Sequence, residues 1–353
     1  MKIAVYAICK NEEKFVERFM ENAKEADAVY VLDTGSTDNT VEKLKECGAI
    51  VKQKKYDFFR FDIARNDSLD MIPSDYDICV CLDLDEVIMK GWRKKLESIW
   101  KDDTTRLRYN YNWRLEDNVP IVNFYIEKIH KRKGYTWKHP VHEVLYYDDM
   151  ENFITTDEIT INHYPDNEKS RGSYLPLLEL SVSEDPINDR NMHYLGREYM
   201  YYGKYQECID TLIKHLNLES ATWKDERCAS MRFIARCYKY LKRYDEANMW
   251  LEKAIKEAPY LRDPYVEMIF LQYELQNFDK IIENGEKALL ISKNPKSYIN
   301  EVFSYNETIY DYLSIAYYYK NNKEKALENV LKALEINPID ERILKNKELI
   351  MNM

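Results

Sequence analysis

Short apolar runs alternate with longer amphipathic stretches through the first third of the chain. Ile3 to Ile8 is followed by amphipathic Glu12 to Ala26, Ala28 to Leu32 by Thr40 to Cys47, and Ala49 to Lys52 by a helical pattern from Asp62 to Met71. The apolar run Ile78 to Leu82 then leads to a helical segment from Trp92 to Trp100. Four- to eight-residue apolar runs alternating with helical periodicity predict a βαβα series, and hence a Rossmann-like α/β domain with a mostly parallel sheet flanked by helices. In open sheets of that kind ligands bind beyond the carboxyl ends of the strands. Downstream, Thr105 to Trp113 and Val122 to Lys131 predict two strands joined through a turn at Asn118-Val119-Pro120, and Ile159 to Asn162 predicts another.

The pattern changes near Pro165. The charged, turn-prone segment Asp166 to Ser173 ends the first domain at about residue 165 and opens a linker or lid over 166–190; beyond it helical periodicity dominates 191–353. Similar units recur at Gly203-Lys204-Tyr205, Lys242-Arg243-Tyr244, Gln276-Asn277-Phe278 and Asn322-Lys323-Glu324. Tyr244 and Phe278 lie 34 residues apart, while the outer spacings stretch to 39 and 45, from Tyr205 and to Lys323. Prolines at 259, 295 and 338 follow helical stretches, as expected where a helix must stop. This array resembles tetratricopeptide repeats, which implies stacked helix pairs and a surface on which a peptide or a second copy of the chain could dock. Most tyrosines in these stretches, such as Tyr199, Tyr201, Tyr202 and Tyr317 to Tyr319, are expected to fill gaps between helices.

A chain of 353 residues fits two cores. The net charge of -10 disfavours a nucleic-acid partner, whose backbone is held largely by cations. Seven cysteines without a CxxC pair read as reduced core residues of a cytoplasmic protein. The apolar N-terminus is strand-sized and runs at once into Lys10, Glu12 and Glu13, unlike a leader peptide or a membrane span.

Chemistry concentrates at three expected strand ends. Asp83-Leu84-Asp85-Glu86 closes an apolar strand, and residues i and i+2 share a strand face, so Asp83 and Asp85 offer hard oxygen donors for Mg2+ or Mn2+, which in turn hold phosphate. Asp33 to Thr40 ends the second strand: Gly35 relieves a tight turn, and Ser36, Thr37 or Asp38 can cap the next helix. Lys10-Asn11-Glu12 follows the first strand.

Together with Ala7-Ile8-Cys9-Lys10-Asn11-Glu12, these motifs resemble the family 2 glycosyltransferases of the GT-A fold, over roughly the first 165 residues. The resemblance implies a nucleotide-sugar donor, most often a UDP-sugar. It places Ala7, Asn11, Glu12, Asp33 and Asp38 by the nucleotide, Arg65 of Ala64-Arg65-Asn66-Asp67 by the diphosphate, and Asp83 and Asp85 in a DxD motif with the metal. Asp85 is the first choice for direct ligation, Asp83 is expected at the metal, the ribose or a metal-bound water, and Glu86 is expected to be structural support. Lys169 and Arg171 could close over the diphosphate, or could belong to a solvated linker.

Further on come Val141-His142-Glu143 and Ile161-Asn162-His163. An inverting transfer needs a base to deprotonate the acceptor; Glu143 leads, with His142 orienting donor or acceptor and His163 as third metal ligand. This combination is similar to bacteriocin-peptide S-glycosyltransferases, in which a comparable VHE segment and histidine precede a helical domain. The expected activity is therefore hexosyl transfer to a saccharide or a peptide or protein acceptor. The competing readings are a non-catalytic repeat scaffold with a degenerate nucleotide-binding domain and, less well supported because a glycine-rich start is lacking, a nucleotidyltransferase.

Overall fold

The computed structural model describes residues 1–166, 172 and 174–353. Its contacts divide the chain into two compact units, Met1–Ser181 and Val182–Met353.

The first unit is built on an eight-stranded sheet of order β3-β2-β1-β4-β7-β6-β10-β5. Its elements are β1 (Ile3–Cys9), α1 (Val16–Ala23), β2 (Ala28–Asp33), α2 (Thr40–Glu46), β3 (Ile50–Gln53), α3 (Phe61–Leu69), β4 (Ile78–Cys81), β5 (Glu86–Ile88), α4 (Trp92–Ile99), β6 (Arg106–Glu116), β7 (Val119–Lys131), β8 (Tyr135–Lys138), β9 (Val144–Tyr147) and β10 (Phe153–His163). The sheet is mostly parallel: β1 with β2 and β4, β2 with β3, and β6 with β10 run parallel, while β7 opposes β4 and β6, and β5 opposes β10. β8 and β9 form a separate hairpin.

Sequence explains the central position of β1. All seven of its residues are buried, because helices and loops cover both faces. Ile3, Val5, Ala7 and Cys9 enter one core with Val31, Val80 and Leu107, while Ala4 and Tyr6 point the other way, toward Cys79, Cys81 and Trp137. Helix α1 buries Val16, Phe19, Met20 and Ala23 in the first of these cores, one stripe at helical spacing. It starts at Val16 rather than at Glu12; the residues before it form a turn, with the N–H groups of Glu12 and Glu13 donating to Thr40 Oγ1 (2.8 Å) and Asp38 (3.3 Å). On the other face, Trp137 Nε1–H donates to the Tyr6 hydroxyl (3.0 Å), which lies 2.8 Å from His130 Nε2.

Helix α5 (Tyr174–Glu184) crosses the boundary between the units. The second unit is all-helical: α6 (Asp189–Tyr201), α7 (Tyr205–Leu216), α8 (Lys224–Tyr240), α9 (Tyr244–Glu257), α10 (Asp263–Glu274), α11 (Phe278–Leu289), α12 (Thr308–Tyr319), α13 (Lys323–Ile336) and α14 (Glu341–Met351). Within each of four pairs the helices are joined by a three-residue turn with one left-handed residue, Gly203, Lys242, Gln276 or Asn321. In each turn the following N–H reaches back to a carbonyl five residues earlier: Lys204 to Tyr199, Arg243 to Tyr238, Asn277 to Gln272 and Asn322 to Tyr317. That is the Schellman termination, which satisfies carbonyls the ending helix leaves open. Among the described residues no helix is long and apolar enough to cross a membrane.

Candidate functional site

Because β1, β2 and β4 run parallel, the loops after them emerge on one edge of the sheet. Two of these loops are zipped together. Asn11, left-handed at φ 55°, donates its N–H to Ser36 Oγ (2.8 Å) and accepts from Thr37 N–H at Oδ1 (2.8 Å). Asp33 is fully buried and accepts the N–H groups of Gly35 and Ser36, both at 3.2 Å. Asp38 accepts from the Thr40 hydroxyl (2.5 Å) and N–H (3.1 Å); although burial pushes its carboxyl up, these bonds and that from Glu13 N–H hold it below the usual range. Asn11, Glu12 and Asp38 are thus gathered at one strand end, braced from beneath by the buried Asp33 carboxylate. Ala7, expected among the donor contacts, is sealed inside β1 with no exposed surface, and supports the site from within.

The acidic cluster after β4 separates into distinct environments. Asp83 Oδ1 receives Arg65 Nη2 (2.6 Å) and its Oδ2 lies 3.2 Å from Lys128 Nζ. Despite burial, these two cations hold its carboxyl far below the ordinary range. Glu86 is buried, with Lys128 Nζ at 2.7 and 2.9 Å, the Tyr111 hydroxyl at 2.8 Å and Asp83 N–H at 2.9 Å; burial raises its pKa even so. Asp85 faces His163 instead, Oδ2 to Nε2 at 3.4 Å.

Register brings the histidine there. β10 pairs with β5 so that His163 stands opposite Glu86, and Tyr164 N–H donates to the Asp85 carbonyl (2.9 Å). His163 Nδ1 lies 3.1 Å from the Trp113 carbonyl. A carbonyl only accepts, so Nδ1 carries the hydrogen, and Nε2 of the neutral ring turns a lone pair toward the Asp85 carboxylate. Two electron-pair donors facing each other call for a cation between them. A proton serves: burial pushes His163 down, but Asp85 outweighs it and raises its pKa. A divalent metal is the other cation the pair could share, with the carboxylate suited to Mg2+ or Mn2+ and the imidazole to the softer first-row metals. Asp83, expected as a further ligand, is turned to Arg65 and Lys128, and among the described residues no three carboxylate, imidazole or thiol groups converge on one metal position.

Arg65, placed by the resemblance at the diphosphate, is engaged within the protein. It is buried, with Nε on Glu143 Oε1 (3.0 Å), Nη1 on Cys81 Sγ (3.4 Å) and Nη2 on Asp83, so it ties strand end to loop and presents no open face to a diphosphate. Helix α3 is aimed by Asn66, whose amide exchanges two hydrogen bonds with the Trp137 backbone (2.8 and 2.9 Å). His142 is left-handed at φ 52° in the β8–β9 loop, and its ring lies 5.9 Å from that of Tyr174. Lys169 and Arg171 lie outside the described residues. Sequence reasoning passed over Lys128, the buried cation of the site. Its signal was a single charge, Lys128, between Ile126 and Ile129 in an apolar stretch of β7; strand parity does not place it, because the register on β6 slips between those two isoleucines.

Residues 4–145 match the family model described as Glycosyl transferase family 2. No curated protein matches the chain. Among solved structures the chain is similar to MamA, at 21% identity and a TM-score of 0.39 over 50% of this chain and 96% of that one. It is also similar to YrrB, described as a TPR protein with an unusual peptide-binding site, at 16% identity and a TM-score of 0.39 over 50% of this chain and 83% of that one. A third is a thermophilic TPR protein of Thermus thermophilus, at 17% identity and a TM-score of 0.37 over 52% of this chain and 91% of that one.

Proposed function

We propose that this chain is a metal-dependent inverting glycosyltransferase that moves a hexosyl group from a nucleotide-sugar donor, in the first instance a UDP-sugar, to a saccharide or peptide acceptor. The family 2 match over residues 4–145 supports the reaction class. The observation that carries the metal dependence is the opposition of Asp85 and His163, with the histidine's Nδ1 committed to the Trp113 carbonyl. Asp85 and His163 would hold Mn2+ or Mg2+, which when bound stabilises the charge left on the departing diphosphate.

The chain's own residues divide the remaining work. The zipped loops carrying Asn11, Glu12, Asp33 and Asp38 form the floor for the nucleotide. Glu143 takes the acceptor proton; Arg65 binds its Oε1 and fixes where the carboxylate points. Arg65 and Lys128 hold Asp83 ionised and in place. Similarity to bacteriocin-peptide S-glycosyltransferases makes a peptide acceptor, engaged by the helical unit, the first class to test.

The test is incubation of the full chain with a panel of nucleotide sugars and Mn2+ or Mg2+, following release of free nucleotide. Slow donor hydrolysis is expected, lost in Asp85→Ala and in His163→Ala. Glu143→Gln is expected to bind donor like the wild type and to transfer at least about 100-fold more slowly; full turnover in that variant removes Glu143 as base. No nucleotide binding by the wild type with any donor would favour the scaffold reading.

A further inference from the structure

We propose that Trp113 is the platform on which the pyranose ring of the donor lies, an inference that rests on the transferase reading of the same site. Trp113 sits at an irregularity of the sheet. Asn112 pairs with Asn123 and Arg114 with Val122, so the register of β6 on β7 shifts at Trp113; on the other side, β10 stops pairing at Asn112. A bulge re-aims a side chain and releases its backbone from the ladder. Here the released carbonyl takes His163 Nδ1–H at 3.1 Å, while the indole stacks on the same imidazole with ring centres 4.6 Å apart and planes within 20°.

The imidazole therefore covers one indole face, and Tyr111 and Phe124 stand 6.3 and 6.5 Å away at the side. Even so, 46% of Trp113 is exposed, against 1% for Trp92 and 4% for Trp137. A single exposed apolar residue ordinarily needs no explanation. This one is clamped at backbone and ring, and it rests on the histidine that faces Asp85. Holding an indole still at solvent spares the entropy of ordering it when a ligand arrives.

The chemistry of the occupant follows from position. An indole face is electron-rich and attracts the C–H bonds of an apolar sugar face. A hexose joined to a diphosphate on the metal lies one bond from that diphosphate, within reach of a ring stacked on a metal ligand. The nucleotide has no such need, because its floor is the β1 and β2 loops.

Titration calorimetry on the full chain with Mn2+ separates the terms, using UDP, UDP-glucose, UDP-galactose and UDP-N-acetylglucosamine. The wild type is expected to bind one of the UDP-sugars more tightly than UDP. Trp113→Ala should weaken that UDP-sugar about 10-fold and leave UDP within about 2-fold, and Trp113→Phe should restore most of the difference. Equal weakening of UDP and UDP-sugar would overturn the platform and leave Trp113 as a support for His163. Unchanged binding of both would overturn it too, as would a normal donor profile accompanied by a raised KM for the acceptor alone, which would place the acceptor sugar on the indole. A wild type that binds neither UDP nor any UDP-sugar sinks the UDP-sugar reading, and the platform for that donor with it.

Discussion

Replacing Lys128 by Met leaves Glu86 buried without its cation, and the structure sets the size of the effect. Lys128 Nζ lies 2.7 Å from Glu86 Oε1 and 3.2 Å from Asp83 Oδ2. At an effective dielectric constant near 20 those separations correspond to about 6 and about 5 kcal/mol of attraction, most of it offset by removing the charges from water. Removing one partner exposes the uncompensated part, typically about 3–5 kcal/mol. Asp83 keeps Arg65 at 2.6 Å, so the loss falls mainly on Glu86. A stranded carboxylate can take a proton instead. From an ordinary pKa of about 4.3 that costs about 3.7 kcal/mol at pH 7 and about 1.6 kcal/mol at pH 5.5, which caps the Glu86 contribution. The sign is fixed: a carboxyl whose folded pKa is raised destabilises at high pH, and the penalty fades as pH falls through the folded value. Lys128→Met should therefore lose about 3–4 kcal/mol at pH 7 and about 2 kcal/mol less than that at pH 5.5. Adding Glu86→Gln should return about 1–2 kcal/mol at pH 7. Urea unfolding followed by tryptophan fluorescence is the assay, since Trp92, Trp100, Trp113 and Trp137 all lie in the first unit. A loss under about 1 kcal/mol at pH 7, or one that does not shrink on acidification, refutes the assignment of Glu86 as the stranded group.

Two further outcomes follow from buried groups away from the site. His130 donates Nδ1–H to the Lys131 carbonyl (2.8 Å) and accepts the Tyr6 hydroxyl at Nε2, and burial pushes its pKa down to about 3, so the folded state refuses a proton that the unfolded chain accepts. The penalty sets in below the unfolded value of about 6.5 and reaches about 2 kcal/mol at pH 5; the fall in urea midpoint from pH 6.5 to 4.5 should be shallower by about one proton in His130→Gln, and an unchanged slope contradicts this. In α6, a Cβ on Gly196 would stand 2.3 Å from Leu212 Cδ2 and 2.5 Å from its Cγ. Gly196→Ala gains about 1 kcal/mol of helix propensity and should still be net destabilising by about 1–2 kcal/mol, read as a lower thermal midpoint; a raised midpoint means that α6 and α7 part more easily than their packing implies.

Apolar patterning made the central strands legible because β1 and β4 are buried on both faces and leave no polar interruptions. The repeat turns were legible too, although their left-handed positions carry Gly203, Lys242, Gln276 and Asn321, because the helix starts at Tyr205, Tyr244, Phe278 and Lys323 keep the register. What sequence did not carry was partner choice. β5 is three residues long, and pairing with β10 decides that Glu86–Ile88 is a strand. Arg65 stands in a motif that the resemblance assigns to the diphosphate, yet acceptors from two distant segments, Cys81 and Asp83 at the end of β4 and Glu143 in the β8–β9 loop, claim its nitrogens. The short hairpin β8–β9, which carries the loop with His142 and Glu143, is placed by hydrogen bonds between Asn66 and Trp137 across 71 residues.

That partnering alters what the acidic motif means. Asp83, Glu86 and Glu143 carry three negative charges, and Arg65 and Lys128 return two positive ones through contacts of 2.6–3.2 Å. The protein nearly neutralises this set by itself, and such groups have little to gain from an added cation. Asp85 stands outside that neutralised set, opposed by an imidazole that Trp113 has turned lone pair first. On the transferase reading proposed above, a cation arriving with a diphosphate would be held at the middle carboxylate of the motif rather than at the flanking pair. The flanking pair gives that carboxylate a fixed frame, because a strand end whose other charges are already satisfied has no reason to rearrange when the ligand arrives.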